Sequence, residues 1–187
     1  MKIRTDFVTN SSSSSFVAIA ANDKLNQLHS FIARARTEGV NVPYTAGWDA
    51  AEEEERGETE FGWSSPVYDD VDSKLNYLIM QCAFDLDKLD QLKHVFRNCT
   101  GMDLDVSYLL DLNAEEGEMM FDNLCSIDHQ SISGEILDTI FATDGTLMQF
   151  LFNDSSVVIQ GNDNSDEDFG GHDAKYRDGN HIVVDTL

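Results

Sequence analysis

The chain is expected to be a single α+β domain: a small sheet of about five strands with four or five helices packed mainly on one face. Three observations predict this. Segments of period two and segments of helical period share one chain, about five strand-like against four or five helical. No internal repeat at solenoid spacing is present. At 187 residues with 41% hydrophobic content and only two prolines, the chain is long enough for one core and has no proline-rich linker to divide it.

The elements follow in order. KIRTDFV (2–8) sets Ile3, Thr5 and Phe7 on one side, a strand pattern, and FVAIA (16–20) is a short apolar strand. The serines between them make 1–21 read as an N-terminal hairpin or β-arch with a serine loop. NDKLNQLHSFIARARTEG reads as a helix capped by Asn22 or Asp23, with Leu25, Leu28, Ile32 and Ala35 inward and Gly39 as its stop. Residues 40–65, which hold AAEEEERGETE, read as an acidic, poorly ordered connector. TEFGWSSPVY reads as extended.

Asp72 is expected to cap a helix with Leu75, Leu78, Ile79 and Cys82 inward. Asp85 or Asp87 caps the next, with Leu89, Leu92, Val95, Phe96 and Cys99 inward and Gly101 as terminator. MDLDVSYLLDL alternates: Leu104, Val106, Tyr108 and Leu110 on one side, Asp103, Asp105 and Ser107 on the other, a half-buried strand with an acidic outer face. Ser133 caps a helix carrying Ile136, Leu137, Ile140 and Phe141 that Gly145 ends, and TLMQFLF fits a short helix or a strand, with helix preferred. SSVVIQG and HIVVDTL are strands, joined by an acidic Gly/Asn/Asp loop over 161–180.

Charge is the most unusual property. The net charge is −23 with a pI near 4.2. Between Asn98 and Ala174 there is no Lys or Arg, while 17 Asp and Glu fall in that window. Exposed carboxylates are ordinarily interspersed with cations that relieve their repulsion. Such a surface repels nucleic acid and anionic membranes and attracts basic proteins. Asp103, Asp105, Asp111, Glu115, Glu116, Glu118 and Asp122 are the candidate partner-binding residues. In a strand, alternate carboxylates such as Asp103 and Asp105 stand about 6.5–7 Å apart on one face, near the spacing of successive phosphates.

Other chemistry is weaker. Asn162, Asn164, Asp166, Asp168 and Asp173 have the oxygen-ligand spacing of a calcium loop, so Ca²⁺ or Mg²⁺ is a candidate ligand there. Glu167 stands where that loop needs Gly, Asp173 where it needs Glu, and the flanks read as strands. No other cofactor is implied. Asp163 or Asp154 with Asp173-Ala174-Lys175 gives a metal-nuclease-like triplet, but Asp72-Ser73-Lys74 repeats it at a helix start. His172 and His181 near Asp173 form a candidate acid–base or metal pair. Ser11 to Ser15 lack the sharp-turn frame of a catalytic serine; a connector role is expected, with phosphorylation as the alternative. Cys82, Cys99 and Cys125 lack disulfide or zinc spacing and read as buried free thiols. No apolar run follows MKIRTDFV, and none spans a bilayer, so a cytoplasmic protein is expected.

MKIRTDFVTNSSSSSFV resembles a start that recurs on proteins of phages and Gram-positive gut bacteria. FGWSSPVYDDVDSKLNYLIMQ (61–81) and FLFNDSSVVIQGNDN (150–164) look like further segments of one such set. The resemblance implies a phage or mobile-element gene that acts against its host, and this context together with the charge map gives the expectation of an anti-defence role of the anti-CRISPR type. It carries no catalytic residue with it. The expectation is therefore a non-enzymatic acidic inhibitor of a host nuclease of the Cas9 type, acting by nucleic-acid mimicry and binding no nucleic acid or membrane itself. The alternatives are an interaction protein for another host or phage target that binds through an apolar patch, and a metal-binding module or metal-dependent enzyme built on 162–173.

Overall fold

The computed structural model describes residues 13–40, 67–82, 85–106, 134–162 and 175–185. Among these, nine elements follow in order: β1 (Ser13–Ala20), α1 (Leu28–Glu38), β2 (Val67–Tyr68), α2 (Val71–Gln81), α3 (Leu86–Thr100), α4 (Gly134–Ile140), α5 (Asp144–Phe152), β3 (Val157–Asn162) and β4 (His181–Asp185). The α+β expectation holds: five helices accompany one four-stranded antiparallel sheet of order β2-β3-β1-β4.

β1 is central because it is apolar on both faces. Val17 and Ile19 join Val158 and Val184 in the main core under the helices. Phe16 and Ala18 point the other way, to Val157, Ile159 and Tyr176. A hairpin of 2–8 against 16–18 would find no open edge there, while the β-arch alternative turns on 2–8, outside the described residues. Ala18 already pairs with Val157 on one side and Val183 on the other, so both edges of β1 are taken. The serine loop is corrected. Ser13, Ser14 and Ser15 are strand residues opposite Asn162, Gly161 and Gln160, since β3 supplies partners for their backbone. Ser11, Ser12 and segment 2–8 lie outside the described residues.

α5 rests on β1, and α2, α3 and α4 pack around it. Leu147, Phe150, Leu151 and Phe152 of α5 are all buried. Phe31 of α1 closes the aromatic centre, edge-on to Phe96 at 5.8 Å and tilted against Phe152 at 5.9 Å.

Helix ends follow local chemistry, with revisions. α1 begins at Leu28 with no side-chain cap, and Asn22 instead accepts from Lys24 N and from Asn153 Nδ2. Asp70, not Asp72, caps α2 by accepting from Ser73 N at 2.9 Å, which leaves Asp72 to pair with Arg34. α2 is not one-sided: Lys74 to Gln81 are all buried. Gly145 does not end α4. It lies inside α5, which Thr143 caps through Thr146 N at 3.0 Å. Segment 102–106 keeps its alternation, with Leu104 and Val106 buried and Asp103 and Asp105 exposed, yet it joins no ladder with a described strand.

Asp85 caps α3 by accepting from Lys88 N at 3.0 Å, and its carboxylate also holds Lys88 Nζ at 2.8 Å. The Lys88 side-chain bond, foremost, holds the Asp85 carboxyl below its ordinary value. Asp85→Ala is expected to destabilise by about 1 kcal/mol. Because the folded-state value is depressed, this contribution is present at neutral pH and fades as the pH falls below the unfolded carboxylate range near 4. Urea titrations of both proteins at neutral and acid pH check it: the gap between them shrinks on acidification.

Candidate acidic interface

The N-terminal half of α3, the exposed side of α4 and the start of α5 meet in one acidic surface. Its exposed residues are Asp87 and Asp90 on α3, Glu135 and Asp138 on α4, and Asp144 on α5. Asp90 and Asp138 are the most open, with side chains 77% and 75% exposed. Two side chains hold the three helices in register. Lys88 Nζ reaches Asp85 Oδ2 at 2.8 Å and Asp138 Oδ1 at 3.0 Å, linking α3 to α4. Gln91 Nε2 donates to Asp144 Oδ1 at 3.1 Å and to Phe141 O at 3.4 Å, linking α3 to α5.

The cations of this surface are already occupied. Lys88 is shared between two carboxylates, Lys93 Nζ lies 3.7 Å from Asp90 Oδ1, and Arg97 Nε lies 3.3 Å from Asp103 Oδ1. Over 85–106 and 134–144 the sequence carries eight acidic residues (Asp85, Asp87, Asp90, Asp103, Asp105, Glu135, Asp138, Asp144) against those three bases. Exposed pairs of this kind are worth about 0–1 kcal/mol each. They orient carboxylates more than they neutralise the field.

The sequence-predicted set is divided by the structure. Asp103 and Asp105 are exposed as expected, and Asp103 is paired by Arg97, the last base before the charge gap, as Asp90 and Asp138 are by Lys93 and Lys88. Asp111, Glu115, Glu116, Glu118 and Asp122 lie outside the described residues. Among the metal-ligand candidates, Asn162 is the last residue of β3, opposite Ser13, while Asn164, Asp166, Asp168 and Asp173 lie outside the described residues. No group of three His, Cys, Asp or Glu residues able to hold a metal occurs among the described residues. The acids of α3 and α4 went unread as a site, although the Asp87–Asp90 spacing of three residues signals neighbours on one helix face.

Two titratable centres lie elsewhere. Lys74 is fully buried, and its ammonium donates to Asn153 O at 2.8 Å, Gln27 Oε1 at 3.1 Å and Ser156 O at 3.2 Å. Burial lowers its pKa to about 7, against the opposing pull of Asp69, Asp70 and Asp154. The second centre is His181, whose Nδ1 lies 3.0 Å from Asp178 Oδ1 and whose ring stands edge-on to Tyr176. Hydrogen bonds from Asn180, then His181, bring the Asp178 carboxyl down to about 2. His181 Nε2 is buried and makes no hydrogen bond, so no described hydroxyl or thiol stands where such a dyad would activate it. Burial, foremost, pushes the Cys82 thiol up to about 12, well away from a reactive thiolate.

No helix among the described residues is long and apolar enough to cross a membrane. No protein-family model, no curated protein and no solved structure matches the chain.

Proposed function

We propose that this protein is a non-enzymatic acidic inhibitor that occupies the basic nucleic-acid channel of a host-defence nuclease, of the RNA-guided Cas9 type, in the cytoplasm of a bacterial host. The observation that carries the reading is the α3–α4–α5 surface, where Asp87, Asp90, Glu135, Asp138 and Asp144 are exposed and the bases among them, Lys88 and Lys93, are already paired with acids. Guide–target heteroduplexes are held in a positively charged channel through backbone geometry. A net charge of −23 steers the chain toward such a channel, and fixed carboxylates dock in it. The apolar-patch alternative has less support. The exposed large hydrophobics among the described residues are Val67, Leu86 and Ile182, on three separate elements.

The test is capture of guide-loaded Cas9-type nuclease by the tagged chain at low and high salt, with DNA cleavage as the readout. Capture that salt weakens, together with loss of cleavage, is expected. Changing Asp103, Asp105, Asp111, Glu115, Glu116 and Glu118 to Asn or Gln flattens that salt dependence. Absence of capture at every salt concentration removes this target class.

A further inference from the structure

The two edges of the sheet are unlike. Of β2, Val67 and Tyr68 are described, and Pro66 just before them has no N–H to offer an incoming strand. β4 is five residues, HIVVD, with neither Lys nor Pro to blunt it.

The direction in which β4 turns its backbone groups follows from one hydrogen bond. Ala21 N donates to Asn180 O at 2.8 Å, continuing the register in which Ala20 faces His181. Groups alternate along a strand, so Asn180, Ile182 and Val184 turn theirs toward β1, while His181, Val183 and Asp185 turn theirs outward. The other side of β1 agrees: Ala20 N points away from β4 and donates to Ser156 Oγ at 3.0 Å. No described strand pairs with the outward row. Ile182, 45% exposed, stands on this edge.

We propose that β4 pairs antiparallel with β4 of a second copy about a two-fold axis at Val183, joining two sheets into one. The sequence of β4 is self-complementary in that register. Val183 meets Val183, Ile182 meets Val184, and His181 meets Asp185, so no two carboxylates are set opposite each other. The three outward residues of one strand meet the three of the other, so every open N–H and C=O finds a partner. Charge selects this edge for a second copy. Residues 175–187 carry Lys175, Arg177, Asp178 and Asp185, a net charge of zero in a chain of −23. The strand and its flanks thus add no net charge to the repulsion between two copies, although α4 packs beside β4. A five-residue pairing falls short of the roughly 1,000 Å² that marks a lasting interface, so the dimer is weak and concentration-dependent.

The inference is independent of the proposed inhibitory role, and salt separates the two. Screening relieves repulsion between two like-charged copies and strengthens the dimer, whereas it weakens capture of a basic partner. Sedimentation velocity of the full chain, across a concentration series at low and high salt, is expected to show mass moving from monomer toward dimer, further at high salt. Val183→Pro removes an outward N–H that the β1 ladder does not use, and Ile182→Lys places a charge on the edge; both are expected to remain monomeric. Should the proline variant misfold, the lysine variant decides alone. A wild-type chain that stays monomeric throughout, or a dimer that survives Ile182→Lys, overturns the proposal.

Discussion

Lys74→Met is expected to destabilise the protein by about 2–3 kcal/mol. Methionine keeps the length and most of the volume of the stem, so the loss isolates the ammonium rather than a cavity. Ser156 O and Gln27 Oε1 lose the Lys74 donor, and Asn153 O keeps only its bond from Ser156 N. A buried acceptor stripped of its partner costs about 1–3 kcal/mol. The pH dependence has a definite sign. Lys74 holds its proton to about 10.5 when unfolded but only to about 7 when folded. Between these values the unfolded chain binds more protons, so the wild type gains stability as the pH rises through that window. The methionine variant lacks this gain, and the gap between the two proteins widens from neutral toward alkaline pH. Urea midpoints of both proteins across that range test it. A gap that stays constant or narrows would show that the amine is not the titrating group.

The position of Lys74 explains why so much rests on it. It ties α2 to the α5–β3 turn and to the segment entering α1. Around it, Asn153 Nδ2 donates to Lys24 O at 2.8 Å, Asn22 Oδ1 at 2.9 Å and Gln149 Oε1 at 3.0 Å. Ser156 Oγ donates to Gln149 O at 2.8 Å while accepting from Ala20 N. This polar node fixes α5 on β1, and α5 in turn carries the packing of α3 and α4. The acidic surface is therefore held from behind by a buried lysine.

Elements with one period and one chemistry were legible in the sequence. α3 shows this best, with Asp85 as cap, Leu89, Leu92, Val95 and Phe96 buried, and Gly101 at φ 70° as stop. Elements whose pattern is set by tertiary packing were not. α2 is buried on every side, so its Lys74, Asn76 and Gln81 break the amphipathic rule that placed its cap two residues late. β1 lies between two strands that come from the far end of the chain, a pairing that neighbouring sequence cannot announce. The acidic surface was legible as a charge total, and the 98–174 window takes in its Glu135, Asp138 and Asp144. What a linear count could not add is that folding joins α3, whose Asp87 and Asp90 precede that window, to α4 through the Lys88–Asp138 pair.

That placement can be tested against simple net charge. Asp90→Lys with Asp138→Lys moves the net charge from −23 to −19, and Asp23→Lys with Glu38→Lys does the same on residues at and before α1. All four residues are exposed. The pairs given up, Asp90–Lys93 and Asp138–Lys88, are surface pairs worth about 0–1 kcal/mol each, so both double variants stay folded. If long-range steering were the whole effect, the two would slow association alike. Docking against fixed carboxylates predicts otherwise. Losing two close charge contacts of about 1.5 kcal/mol or more each lowers affinity for the guide-loaded nuclease by about 100-fold, mainly through faster dissociation. The α1 pair lowers affinity only through a modestly slower on-rate. Surface-resonance kinetics at two salt concentrations read both quantities. Equal losses for the two variants would reduce the α3–α4 surface to one part of a diffuse field, and a loss confined to Asp90 and Asp138 would make it the docking face.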